Sequence, residues 1–354
     1  MRDLTHELAT GRPPRILIVR LSAVGDVILT MPVINALRAA MPDAVLGWVV
    51  EQRAAPLLEG HPALDHLIVL PRGWMKSPRI VLGLRRRLRA LRFDITVDPQ
   101  SLTKSALVAW LSGARRRIGF GDDKGRELSQ YLNTELVSTE LDHVVDCHLA
   151  LLRPLGVARP KVEFRVPEKP EDRTAADAVV RQHGLESGYA VINVGAGWPS
   201  RIWPADRFGR VARHLGERHG LASLVVWAGP KERDLAEQTV SSSGGYAVLA
   251  PPTSLAQLAT LLRRAVLCLS GDTGPLHLAV AVGTRCVSLH GPTWAKRSGP
   301  YGPGHIAVQQ AALDSGLDRR RKRCSAWLME AITVERVCEA CDQLLDQPGR
   351  HAAA

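Results

Sequence analysis

The strongest constraint on this chain is an alternation: apolar runs too short for helices, separated by longer stretches with helical spacing. Arg15–Arg20 (RILIVR) is apolar at consecutive positions, so a strand there has both faces covered. A Gly25-Asp26 turn follows. Val27, Ile28, Pro32, Val33, Ile34 and Leu37 then recur at helical intervals and predict one helix over 27–40. Val45–Val50, Leu67–Leu70 and Ile95–Asp98 read as further strands. Arg53–Leu58, Arg79–Leu91 and Leu102–Leu111 read as helices. A βαβα order of this kind implies a parallel sheet with helices on both faces.

The same rhythm restarts in the second half. Tyr189–Val194, Ser223–Trp227, Tyr246–Leu249, Val266–Leu269 and Arg285–Leu289 have the strand pattern. Ala205–Arg218, Glu232–Val240, Ser254–Arg264 and Pro275–Val282 have the helical one. Between the halves lies Arg165–Arg173 (RVPEKPEDR), polar and twice interrupted by proline, which marks a domain boundary. A length of 354 residues suits two domains. The expected division is 1–170 and 171–354, with the helix near the C-terminus either in the second domain or packed back on the first. The fold class is α/β: two Rossmann-like domains facing each other across a cleft. In such sheets ligands bind beyond the carboxyl ends of the strands.

Composition narrows the partners. Apolar residues at 45% and charged residues at 23% are ordinary for a soluble globular chain. The formal charge of +11 fits nucleic acid, an anionic membrane surface or phosphorylated substrates. Neither arginine cluster (Arg85, Arg86, Arg87, Arg89 and Arg92, or Arg319–Arg323) adjoins a nucleic-acid recognition motif, so no nucleic-acid partner is expected. Cys268 and Cys286 sit in strand-like runs and read as core. Cys338 and Cys341 form a CxxC inside a helical pattern, with no second pair to complete a zinc site. Scattered cysteines suit a reducing cytoplasm. Met1–Pro14 lacks the apolar segment of a signal peptide, and no run reaches the ~20 residues of a membrane span.

Four strand-to-helix turns carry residues suited to chemistry. In Leu21–Thr30 (LSAVGDVILT), Asp26 reads either as a helix N-cap or as a carboxylate positioned to take a proton from a hydroxyl. In Gly195–Phe208 (GAGWPSRIWPADRF), Ser200 and Arg201 occupy a Gly/Pro-rich loop. Arg201 is a surface residue of that turn or a guanidinium that grips phosphate. Ser270–Ala279 (SGDTGPLHLA) is the most specific signal. Asp272, Thr273 and Gly274 turn the chain, and Pro275 opens a helix whose free N–H groups make an anion site. His277, just inside that helix, is a packing residue or part of the site. In Trp227–Arg233 (WAGPKER), Trp227 packs in the core or flanks a purine. Glu232 is a solvated helix start or bonds ribose hydroxyls.

Together these turns resemble the lipopolysaccharide heptosyltransferases of glycosyltransferase family 9, which have the GT-B fold. The likeness is carried by RILIVRLSAVGDVILTMP, WVVE, DPQSLTKSALVAWLSGARRRIGF, NVGAGWPSRIWP, SGDTGPLHLAVAVGT and HGPT. WVVE and QSLTKSALV point to the type I members, which add the first heptose. The resemblance implies inverting transfer of heptose from ADP-heptose to Kdo of lipid A, an anionic glycolipid, at the cytoplasmic face of the inner membrane. It implies that Asp26 is the catalytic base, that Asp272, Thr273, Gly274 and His277 form the donor motif, and that Glu232 lies near the ribose. It further implies that Lys104, Arg126, His143 and, in a less regular segment, Arg72 hold the acceptor's acidic groups. Arg201 stands where the family usually has lysine. The segment Leu313–Cys324 and the first fourteen residues have no counterpart.

The reaction expected on this basis is direct displacement at the anomeric carbon. Asp26 takes the proton, while Arg201 and the N–H groups at Thr273–Gly274 stabilise the leaving diphosphate. No DxD pair stands in a suitable turn, so neither a metal nor another cofactor is expected. The Arg79–Arg92 helix, with Val81, Leu82, Leu84, Leu88 and Leu91 beside its arginines, lies on lipid headgroups or is an ordinary surface helix. Other readings are a family 9 relative using another nucleotide sugar or acceptor, and a non-catalytic nucleotide binder. The expected oligomeric state is monomeric.

Overall fold

In a computed structural model the described residues are 12–309 and 327–347. The Arg319–Arg323 cluster, Cys324 and nearly all of the N-terminal extension lie outside them. The chain divides into two compact units, Met1–Pro167 and Glu168–Ala354.

The first unit is built on six parallel strands: β1 (Arg15–Val19), β2 (Val45–Glu51), β3 (His66–Leu70), β4 (Ile95–Asp98), β5 (Arg116–Phe120) and β6 (Glu135–Val137). Their order across the sheet is β3-β2-β1-β4-β5-β6. β1 and β4 lie at the centre, buried on both faces, and the consecutive apolar residues of β1 suit that place. β5 and β6 escape the apolar pattern because they run toward an edge. Arg116 on β5 takes part in a bidentate pair with Glu135 on β6, at 2.6 and 2.9 Å, so charged side chains join strands where sequence reading looks for apolar ones.

The helix expected over 27–40 is two helices, Val24–Ile28 and Met31–Ala40. Pro32 occupies the first turn of the second, where its missing N–H costs nothing; inside one continuous helix it would break the hydrogen-bond ladder. The Pro78–Ala90 helix buries Leu84 and Leu88 against the sheet, with Ile80, Val81 and Leu91 packed beside them. Of its large apolar residues only Leu82 is turned outward. The stripe that sequence reading offered to lipid therefore belongs to the core, and the arginines form the solvated face.

The second unit repeats the design with β7 (Tyr189–Asn193), β8 (Ala222–Val226), β9 (Ala247–Leu249), β10 (Leu267–Gly271), β11 (Cys286–His290) and β12 (Ile306–Gln309). The order β12-β11-β10-β7-β8-β9 is that of the first sheet with strands renumbered from β7. Trp203 and Phe208 meet edge to face at 4.9 Å beneath it. The terminal Val334–Asp346 helix packs within this unit, its Val337, Cys338, Cys341 and Leu344 joining the same core. Trp203 Nε1 donates to Ile332 O at 3.0 Å just ahead of it. Cys338 and Cys341 are buried free thiols, as are Cys268 and Cys286. No helix among the described residues is long and apolar enough to cross a membrane.

In each sheet the strand order reverses once, between β1 and β4 and between β7 and β10. The helices that follow these strands depart to opposite faces there, which leaves a crevice at the carboxyl edge.

Candidate functional site

At the β1/β4 crevice the sequence-predicted Asp26 is neither a bare N-cap nor a loose surface acid. It is the third residue of the Val24–Ile28 helix, and its Oδ2 accepts the Ala23 N–H at 3.1 Å. Its Oδ1 faces Arg20 Nη2 at 2.8 Å. Arg20 is buried and also donates to Pro99 O at 2.9 Å, so one guanidinium ties the end of β1 to the end of β4 and fixes the carboxylate. Asp26 itself is 44% exposed and accessible. Beneath it Thr30 Oγ1 donates to Asp26 O at 2.8 Å and contacts His148 Nδ1 at 3.2 Å. Burial, reinforced by the positive charge of Arg20, pushes the His148 ring well below the usual range, so it is neutral.

The WVVE and DPQS segments frame the same crevice. Trp48 Nε1 donates to Arg20 O at 3.1 Å. Gln100 Oε1 accepts the Leu21 N–H at 2.9 Å. Asp98 is fully buried and accepts from the Gln100 and Ser101 N–H groups, which shapes the turn after β4. Burial pushes its carboxyl up to about 6, against the opposing pull of those hydrogen bonds and of Arg20.

Of the four residues expected on the acceptor side, Lys104 is joined to the crevice: its Nζ donates to Ser22 Oγ at 2.7 Å and meets Glu51 Oε1 at 3.3 Å. Arg126 is tethered by its N–H to Ser101 O at 3.1 Å and projects an exposed side chain. His143 caps the Val144–Ala150 helix, its Nδ1 accepting from Val145 N–H at 3.2 Å. Arg72 is exposed on the turn after β3.

At the β7/β10 crevice the predicted donor residues converge on one network. Asn193, the last residue of β7, donates through Nδ2 to Gly195 O, Ser270 Oγ and Thr273 Oγ1 at 3.0–3.1 Å. It thereby locks the two turns together. Arg201 reaches across them: its Nη1 donates to Asp272 O at 2.9 Å and lies 3.3 Å from Asp272 Oδ2, and its guanidinium stacks on Trp198 at 4.5 Å. It is a half-buried bridge rather than a surface residue. Ser200 is buried beside it.

Asp272 is held from several sides. Its Oδ1 lies 3.4 Å from His277 Nε2, and its Oδ2 accepts from Ser298 Oγ at 3.2 Å. Burial alone would raise its carboxyl. The hydrogen bond and charge of His277, with Arg201, outweigh burial and hold it well below the ordinary range. His290, in the HGPT segment, contacts Ser288 Oγ at 3.0 Å and Thr293 Oγ1 at 3.3 Å. Burial lowers it to about 4 against the attraction of Asp272, so it is neutral at physiological pH. Thr273 precedes the Gly274–Ala281 helix, and its hydroxyl is committed to Asn193 and Ser270 rather than to capping. The first turn of a helix leaves N–H groups without intrahelical partners, which an anion can satisfy.

Glu232 and Trp227 border this network. Glu232 Oε2 accepts the Ala228 N–H at 2.8 Å, and its carboxylate lies over Gly195, where a Cβ would come within 2.1 Å. A larger residue there would push the carboxylate out of its place. Trp227 Nε1 donates to Ala250 O at 2.8 Å, which pins the indole between the ends of β8 and β9 with Arg233 over its ring.

Sequence reading missed Arg20, Asn193, Ser270, His290 and Ser298 as contributors. Arg20 and Asn193 have a signal available: each is a polar residue ending a buried strand at a switch point, a place where a polar side chain has structural or ligand work to do. Ser298 has none, since it ends a short helix, Ala295–Ser298, that lies 26 residues along the chain from Asp272.

Two doubly wound parallel sheets of identical order, each with a polar cluster at its switch point, constitute the GT-B arrangement, and the family match makes the class of the protein glycosyltransferase. The sequence profile of glycosyltransferase family 9 (heptosyltransferase) matches residues 81–327, and the chain belongs to that family. It is 29% identical over 301 residues to lipopolysaccharide heptosyltransferase 1 of Pseudomonas aeruginosa, covering 82% of each chain. It is 28% identical over 344 residues to lipopolysaccharide heptosyltransferase 3 of Escherichia coli K12, covering 91% of this chain and 96% of that one. The crystal structure of a family 9 glycosyl transferase from Veillonella parvula superposes with a TM-score of 0.84 at 25% identity, covering 95% and 98% of the two chains.

Proposed function

We propose that this enzyme transfers heptose, with inversion, from ADP-heptose to a Kdo residue of lipid A, the first heptose addition of the lipopolysaccharide inner core. The observation that carries the reading is the pairing of chemistries at the two crevices. One presents an accessible carboxylate fixed by a buried arginine; the other presents a helix start and a guanidinium suited to a diphosphate.

In this reading Asp26 accepts the proton of the attacking Kdo hydroxyl. Arg20 holds the carboxylate in place, so the hydroxyl meets an acceptor that need not reorganise. Charge develops on the departing ADP. Arg201 and the first N–H groups of the Gly274–Ala281 helix take up that charge, which substitutes for a divalent cation. Ser200 lies beside the same loop. Asp272 and His277 support Arg201, Thr273 and Gly274 shape the turn, Glu232 bonds the ribose and Trp227 borders the base. Lys104, Arg126, His143 and Arg72 supply positive charge for the acceptor's carboxylates and phosphates.

A lipid acceptor gives the +11 charge a use as peripheral attraction to an anionic cytoplasmic leaflet. The exposed arginines of the Pro78–Ala90 helix support such a contact electrostatically, without insertion of its apolar residues.

A second reading, transfer to a different acceptor at a later step, is favoured by one observation: the heptosyltransferase 3 relative matches over a larger share of this chain. The test is mass spectrometry of the product formed from ADP-heptose and Kdo–lipid A. A single added heptose supports the first reading. Transfer only to an acceptor that already carries heptose replaces it with the second.

A further inference from the structure

The Ala205–His219 helix and the terminal Val334–Asp346 helix are joined by a cluster that the transfer chemistry does not use. His214 Nε2 and His219 Nε2 both approach one atom, Asp342 Oδ1, at 2.8 and 2.7 Å. The three potential ligand atoms lie within 4.8 Å of one another. We propose that His214, His219 and Asp342 bind a divalent transition-metal ion of the zinc class, which clamps the terminal helix to the helix behind the donor turn.

The donor set is the first argument. Two imidazoles and a carboxylate suit Zn²⁺, Co²⁺ or Ni²⁺, and they do not suit Mg²⁺ or Ca²⁺, which require oxygen ligands. The geometry is the second. Tetrahedral bonds of about 2.0–2.1 Å hold ligand atoms about 3.3 Å apart, so each nitrogen–oxygen pair opens by about half an ångström while the two nitrogens, within 4.8 Å of each other, settle to the same spacing. The rings are not stacked: their centroids lie 6.2 Å apart at 67°, which leaves both Nε2 atoms free to converge. His219 is the helix's last residue before the left-handed Gly220, and that position lets a residue five along from His214 swing to the same point.

The surroundings are the third. Arg218 Nε lies 3.3 Å from the other oxygen, Asp342 Oδ2. It orients the carboxylate for monodentate binding through Oδ1, as outer hydrogen bonds do for metal-ligating carboxylates. The three ligands keep 17–27% of their side-chain surface exposed, so an ion has a route in and water can supply the fourth position.

The role is structural. A helix that begins at Ala205, next to the donor turn, and runs fifteen residues away from it carries His219 roughly 20 Å from that turn. The ion would therefore act on the stability of the second unit, not on the transferred sugar.

The test uses untagged, full-length protein stripped with chelator and titrated with Co²⁺. The expected result is visible absorption saturating at one equivalent, displaced by Zn²⁺ and unaffected by Mg²⁺. A melting temperature raised by about 5–10 °C at a hundredfold excess over Kd accompanies it. His214→Gln and His219→Gln keep a hydrogen bond to Asp342 without offering a good ligand, so they isolate metal binding from folding. Loss of the Co²⁺ spectrum in both, with metal-free melting unchanged, supports the site. A spectrum that never saturates, or one that survives in the double variant, overturns it.

Discussion

His290 provides a measurable consequence of the way the β7/β10 crevice is built. Its ring is fully buried, hydrogen-bonded to Ser288 and Thr293, and faces Asp272, His277 and Arg201. Burial lowers its pKa from 6.5 to about 4. The folded state thus prefers the neutral ring, and the unfolded chain takes up the proton first. The stability this provides is fully present above pH 6.5 and is lost as the pH falls toward 4. A difference of about 2.5 units at 1.36 kcal/mol per unit amounts to about 3 kcal/mol in full, and about 2 kcal/mol is already gone at pH 5. For a unit of this size about 2 kcal/mol is roughly 4–8 °C of melting temperature. The assay is calorimetric melting at pH 7.5 and pH 5.0 of the parent and of His290→Gln. The variant is less stable at both pH values, but its drop between them should be smaller by roughly 4–8 °C. His305, which burial also lowers to about 4, is present in both proteins and cancels. An identical drop in parent and variant refutes the buried-neutral account of His290.

Three further outcomes follow from the same geometry. Asp26→Asn should reduce turnover by about 10²–10⁴-fold while the Kd for ADP, measured by calorimetry, stays within about twofold; a nearly active variant removes Asp26 from the base role. Gly195→Ala pushes a methyl into the Glu232 carboxylate, whose flexible end must leave its bond to Ala228. ADP affinity should fall roughly tenfold, the equivalent of one hydrogen bond, with little change in melting, and unaltered affinity would separate Glu232 from nucleotide binding. Leu88→Ala should cost about 2–5 kcal/mol of stability and Leu82→Ala within about 0.5 kcal/mol, as read from chemical denaturation. Equal costs would contradict the packing of the Pro78–Ala90 helix.

Much of the fold is legible because a central parallel strand must be apolar on both faces. RILIV, YAVIN and LCLSG announce β1, β7 and β10 without any alignment. β5, β6 and β12 are not legible. Near a sheet edge a strand needs only part of its surface covered, and ion pairs such as Arg116–Glu135 replace apolar contacts. The split of the 27–40 segment could have been read from Pro32, which local rules place in a first turn and not within a helix.

The sequence by itself determined the α/β rhythm, the doubling of the unit and the turns on which Asp26, Arg201 and Asp272 stand, because these follow from local patterns of apolar, glycine and proline residues. Tertiary structure alone decided the company those residues keep. Arg20 meets Asp26 and Pro99, Asn193 binds Thr273, and Ser298 reaches Asp272. These partners are brought together by the side-by-side packing of β1 with β4, of β7 with β10 and of β10 with β11. Strand order depends on how the whole sheet buries its faces, and no local pattern along the chain encodes which distant strand will become a neighbour.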